Sequence, residues 1–162
     1  MNNDLNFDYI NKLSEICILS WGELRNKDNI QKICPKIIEA QKEEWQNKGD
    51  FFKDGLDKTE EKYILLVDDR FELLEPQLYF LQCLSVFTEH KIITFIYGDF
   101  ILKNRYYYMP SFKPYIGNHD SFQYDIPVFI DRVCGSLANL EIKTLSENKI
   151  GYHLPQSLFK HI

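Results

Sequence analysis

The stretch Tyr63-Ile-Leu-Leu-Val-Asp-Asp-Arg-Phe-Glu-Leu-Leu74 decides the fold, because it reads two ways. Tyr63 to Val67 is an apolar run of strand length. Ile64, Phe71, Leu74, Leu78 and Leu81 also fit a helical stripe, and period alone does not separate the two. The same choice places the carboxylates of Asp68, Asp69, Glu72 and Glu75. On a helix, positions 68, 72 and 75 share a face with Asp69 at its margin; in a hairpin the two aspartates form the turn. Both geometries expose them.

Outward from there, residues 63–102 hold six acidic side chains against two basic ones, so this apolar core presents a negative surface. Pro76 directly after Glu75 suits the first turn of a helix, where its missing amide is not needed. It predicts a buried helix from Pro76 to Glu89 carrying Leu78, Leu81, Cys83 or Leu84, and Phe87. Ile92 to Tyr97 is β-branched and aromatic, and Gly98-Asp99 separates it from Phe100 to Leu102. That pattern predicts two strands joined by a tight turn, with a helix through Ile93, Ile96, Tyr97, Phe100 and Ile101 as the alternative.

Upstream, Phe7, Ile10, Leu13, Cys17, Trp21 and Leu24 recur at three- and four-residue steps and predict an amphipathic helix. Asp28 followed by Gln31 has the form of a capping box, which restarts a helix towards Trp45 that Pro35 kinks or splits. Gly49 and Gly55 bracket a connecting loop. Downstream, Lys103 to Tyr115 is basic and aromatic, with Pro110 and Pro114 excluding a regular helix. Gly117-Asn-His-Asp120 is a turn. Asp125 before Ile126-Pro127 predicts the cap of a last amphipathic helix with Ile126, Phe129, Ile130, Val133, Leu137 and Leu140 inward. The tail ends in a short apolar piece, Leu158-Phe159. The expected architecture is α+β, one domain over 1–162: N-terminal helices, a central buried helix, a small antiparallel sheet and a C-terminal helix. All-α is the alternative if the central runs are helical.

With 162 residues, 44% of them hydrophobic and 15% aromatic, the chain has enough apolar surface for a core without staples. The net charge is −5, distributed as −3 over residues 1–62, −4 over 63–102 and +2 over 103–162. That sign disfavours direct binding to nucleic acid or anionic lipid and attracts a basic protein instead. Cys17, Cys34, Cys83 and Cys134 lie far apart and read as reduced and mostly buried. The first residues lack a signal-peptide pattern, and no run approaches the ~18 apolar residues of a membrane span. A cytoplasmic protein is expected.

Catalytic and ligand motifs are missing from the sequence. Its seven glycines are too scattered to cradle a phosphate, and neither Gly-x-Ser-x-Gly nor His-Glu-x-x-His occurs. His90, His119, His153 and His161 show no metal spacing; His119 and Asp120 share a turn and read as surface. No metal, cofactor or enzymatic role is expected. Glu141-x-Lys143 behind Asp131 resembles the Asp…Glu-x-Lys pattern of the restriction-type nuclease superfamily, which implies two carboxylates on Mg²⁺ and a lysine polarising the attacking water. Its departure from that pattern is Asp131, placed here in a helix where the family uses strand ends. Arg105-Tyr106-Tyr107-Tyr108 reads first as a strand with alternate tyrosines buried, then as an interface, and third as a stacking surface for single-stranded bases.

A small, acidic, aromatic-rich domain of this kind resembles the immunity proteins of bacterial contact-dependent and other polymorphic toxin systems. The resemblance is one of whole-chain character. It implies an inhibitor that binds one cognate toxin domain, often a basic nuclease, and occludes its active site or substrate path. The residues expected to meet that partner are Asp68, Asp69, Glu72 and Glu75, with Tyr106, Tyr107 and Tyr108 as a second patch. A Mg²⁺-dependent nuclease and a structural or regulatory subunit of a larger assembly are the alternatives.

Overall fold

Tyr63–Asp68 is a strand, and all of it is buried. The computed structural model describes residues 9–119, 125–132, 145 and 150–162. Among these, the strands are β1 (Ile16–Trp21), β2 (Ile37–Glu39), β3 (Tyr63–Asp68), β4 (Phe71–Leu73), β5 (Phe95–Leu102), β6 (Arg105–Tyr107), β7 (Val128–Asp131) and β8 (Gly151–His161). The longer helical segments are α1 (Lys27–Gln31), α2 (Lys48–Asp57) and α3 (Pro76–Glu89).

The strands form one mixed sheet in the order β2-β1-β3-β7-β5-β8-β4, with β6 pairing β5, curled into a half-barrel. This overturns the expected small antiparallel sheet and the all-α alternative. Three elements misled the periodicity. Ile16 to Trp21 carries part of the helical stripe, yet it is a strand with parallel neighbours on both sides, β2 and β3. Such a strand is buried on both faces and reads as a continuous apolar run, which has no period to oppose a helix. Ile37 to Glu39 is likewise a strand, so α1 is short; Asn26, in the left-handed region at φ 57°, stands at its N-cap in place of Asp28. Phe129 and Ile130 lie in β7, not in a C-terminal helix. Val133, Leu137 and Leu140 of that helix, and Phe7 of the first, fall outside the described residues.

The other differences are local. The expected loop at Gly49 to Gly55 is α2, started by Asn47, whose side chain accepts a hydrogen bond from the Asp50 amide at 2.9 Å. Gly55 inside that helix serves contact: an added Cβ would meet Leu19 Cδ1 at 2.8 Å. Gly98-Asp99 is not a turn, for β5 runs straight through it with a bulge against β8. Chain reversal comes at Lys103-Asn104, both at positive φ (51° and 63°), the conformation of a two-residue hairpin loop. The tail is the long strand β8, inserted between β5 and β4. The expected helix from Pro76 to Glu89 is present, with Pro76 in its first turn, but Leu78 is exposed and Tyr79, Phe80, Cys83, Leu84 and Phe87 make the buried face.

Strands β1 to β3 with α1 and α2 form a doubly wound unit in the order 2-1-3. α2 packs on one face of it, where Phe51 meets Trp21 and Gly55 meets Leu19. α1 and α3 pack together on the other face. There the rings of Tyr63, Tyr79, Phe80 and Phe87 surround Phe129 at centroid distances of 5.7–6.1 Å. Burying each such side chain contributes about 1.5–3 kcal/mol, so this cluster holds α3 to the sheet. Arg132 ties β7 to the α2–β3 connection by donating to the Glu61 and Leu56 carbonyls and the Thr59 hydroxyl.

Candidate functional site

In a doubly wound sheet the crevice beyond the carboxyl ends of the strands, where the winding reverses, is the usual place for a ligand. Here it lies between the ends of β1 and β3, and two of the expected site residues fall into it. Asp68 closes β3 with its side chain 4% exposed. It accepts from the Arg70 amide at 2.9 Å and from Arg70 Nε at 3.1 Å, and Lys48 Nζ stands 3.5 Å away. Lys48 and Arg70 also reach Asp125. Burial pushes the Asp68 carboxyl up, but the Arg70 and Lys48 contacts outweigh it and hold the group below the usual carboxylate range.

Asp69, 31% exposed, turns the other way and pairs with Lys42 at 2.7 Å. Its carboxylate lies over Gly22, where φ is +97° and an added Cβ would sit 2.5 Å from Asp69 Oδ2. A groove lined by Gly22, Lys27, Glu39, Lys42 and Asp69 runs from this point. Its cations are already neutralised: Lys27 pairs with Glu39, as Lys42 does with Asp69. Lys27, Lys42, Lys48 and Arg70 are thus each held by a carboxylate, and Asp68 and Asp69 are parts of that lattice.

Glu72 and Glu75 sit elsewhere. Glu72 points to the face of the sheet opposite α3, since its neighbours Phe71 and Leu73 are buried. Strand register puts Glu72, Lys160, Ile101 and Tyr106 in one row across β4, β8, β5 and β6. At ~4.8 Å per strand, Glu72 and Tyr106 are about 14 Å apart on one face. Glu75 is exposed at the N-cap of α3. The four carboxylates thus divide into two buried or paired in the crevice, one on the outer face and one at the start of α3.

The tyrosines separate by strand alternation. Tyr107 turns inward and stacks on Phe100 at 4.8 Å. Tyr106 and Tyr108 are 65% and 72% exposed, with ring centroids 6.2 Å apart and planes 29° off parallel. A buried polar group fixes the segment that carries them. The Met109 amide donates to Asp99 Oδ1 at 2.7 Å, His153 Nε2 lies 2.7 Å from the same oxygen, and the Tyr97 hydroxyl donates to the Pro110 carbonyl at 2.6 Å. Sequence reasoning missed Asp99 and His153; β-bulge geometry brings them together across strands far apart in the chain.

Among the described residues, no group of three or more His, Cys, Asp or Glu side chains is placed to hold a metal ion, and no helix is long and apolar enough to cross a membrane. Asp131 ends strand β7 instead of lying in a helix; Glu141 and Lys143 lie outside the described residues, as do Asp120 and Cys134. Cys17, Cys34 and Cys83 are buried free thiols. His119 follows a short 3-10 turn and is exposed. No known family model and no curated protein matches this chain.

Proposed function

We propose that this chain is a binding protein that neutralises a cognate bacterial toxin domain by direct protein–protein association in the cytosol, as an immunity protein does. The observation that carries the reading is the stacked, solvent-exposed Tyr106–Tyr108 pair on a hairpin held from beneath by Asp99 and Tyr97. Tyrosine and arginine are enriched at interface hot spots, and a contact group already held in place loses little freedom on binding. Of the acidic group, Glu72 remains available on this face, and Glu75 is exposed at the start of α3. Asp68 and Asp69 serve the crevice lattice and reach a partner only at the expense of an internal ion pair.

The test is titration of the purified chain against the toxin domain encoded in the neighbouring reading frame, with growth rescue alongside. A tight stoichiometric complex and protection are expected; no complex and no protection would end the reading. One observation favours a second one. Asp131 at a strand end now fits the Asp…Glu-x-Lys nuclease pattern, with Glu141 and Lys143 as the other members. Mg²⁺-dependent cleavage of DNA by the purified protein, lost in Asp131→Asn, would favour it over the inhibitor.

A further inference from the structure

We infer that the β5–β6 hairpin docks an acidic segment of the partner protein, with Tyr106 and Tyr108 as anchors and Lys103, Arg105 and Lys160 as the cations that meet its carboxylates. This rests on the protein-binding reading above and specifies the chemistry of the contact.

Ion pairing differs between the crevice and the hairpin. Around the crevice, Lys27, Lys42, Lys48 and Arg70 are all engaged by carboxylates. At the hairpin the pattern reverses. Lys103 and Arg105 at its tip are exposed, and neither they nor Lys160 has an ion-pair partner within 4 Å among the described residues. Glu72, opposite Lys160 in register, is the acidic group in that row. Three cations against one carboxylate, in a chain of net charge −5, make this a locally basic surface on an acidic protein. Complementary potential steers encounter and fixes register. Tyr106 shares a face with Lys160 and Ile101, whereas Arg105 leaves the strand towards the opposite side and rims the tip. A segment lying over Tyr106 therefore meets Lys160 across the strands and Lys103 and Arg105 at the hairpin tip.

Single-stranded nucleic acid is the competing occupant of a basic, tyrosine-bearing surface. The self-stacking of Tyr106 and Tyr108 works against it, because each ring already turns one face to its neighbour. The overall negative charge works against it too.

The experiment compares fluorescent Glu/Tyr copolymer, Lys/Tyr copolymer and oligo-dT by anisotropy, using the full chain and two double variants: Lys103→Glu with Arg105→Glu, and Tyr106→Ser with Tyr108→Ser. All four positions are exposed, and unchanged urea midpoints verify that the variants fold. Glu/Tyr copolymer should bind preferentially, and each double variant should weaken it by about tenfold. Tighter binding of oligo-dT or of Lys/Tyr copolymer overturns the proposal, as does equal binding of the acidic copolymer by the variants. The toxin domain separates the two levels. If the wild-type chain and both variants bind it equally, the hairpin assignment falls and the inhibitor reading stands. If the wild-type chain does not bind it, the inhibitor reading falls.

Discussion

Asp68 and Asp69 are adjacent in sequence and identical in chemistry, and the structure gives them opposite energetic roles. In Asp68→Asn the side chain keeps its shape and loses its charge, leaving Lys48 and Arg70 facing a neutral amide. Removing one partner of a fully buried pair costs about 3–5 kcal/mol. Here Lys48 and Arg70 are 24% and 45% exposed and both reach Asp125, so water and that carboxylate recover part of the loss. The expected destabilisation is about 2–3 kcal/mol. Asp69→Asn breaks an exposed pair with Lys42 and should cost roughly 0–1 kcal/mol. Urea unfolding at neutral pH, followed by circular dichroism, measures both. The pH dependence gives an independent check. Because the folded-state carboxyl of Asp68 is held low, its stabilising contribution is fully present above the unfolded value of ~3.9 and is lost as pH falls through the folded value. The gap between wild type and Asp68→Asn should therefore close on acidification. Equal losses for the two variants, or a gap that does not move with pH, would refute this assignment of roles.

Gly151→Ala should destabilise by about 1–3 kcal/mol, since an added Cβ would stand 2.3 Å from the fully buried Phe95 ring; a neutral unfolding midpoint would contradict that packing. Ser20→Ala should be neutral or stabilising by roughly 1 kcal/mol, because the buried Ser20 hydroxyl has no hydrogen-bond partner among the described residues. A clear loss of stability would show that the hydroxyl is satisfied after all. Burial pushes the Cys17 thiol up to about 11 and the Cys34 thiol up to about 12, and raises that of Cys83 further. Peptide-resolved alkylation of the native protein at neutral pH should leave these three unmodified, and urea should release them together.

How much of this was legible in the sequence follows from where the physical signal was local. Pro76 and the apolar residues behind it specify α3 without help from the rest of the chain. Tyr63 to Val67 reads as core and is core, but its strand state depends on β1 and β7, which lie on either side of it. Ile16, Cys17, Ile18 and Leu19 form an unbroken β-branched and apolar run, a signal for a buried strand that the longer three- and four-residue stripe obscured. Gly98 reads as a turn residue, whereas its small size lets β8 come close: an added Cβ would be 3.1 Å from the Leu154 carbonyl oxygen. The true turn, Lys103-Asn104, uses a lysine at positive φ, which composition does not announce. For the candidate site, alternation within Tyr106 to Tyr108 was foreseeable. The division of Asp68 and Asp69 from Glu72 was not, because it is made by Lys42, Lys48 and Arg70, two of them distant in the chain.

The position of β8 bears on how the protein is made. An edge strand can be added last with little consequence, but this one separates β5 from β4 and satisfies the backbone of both. During synthesis the 2-1-3 unit and α3 can pair as they emerge, while one side of β5 keeps its amides and carbonyls unpaired until residues 151–161 arrive. At ~5–20 residues per second that interval lasts a few seconds, during which a newborn chain presents a long apolar strand edge to its neighbours on the same messenger.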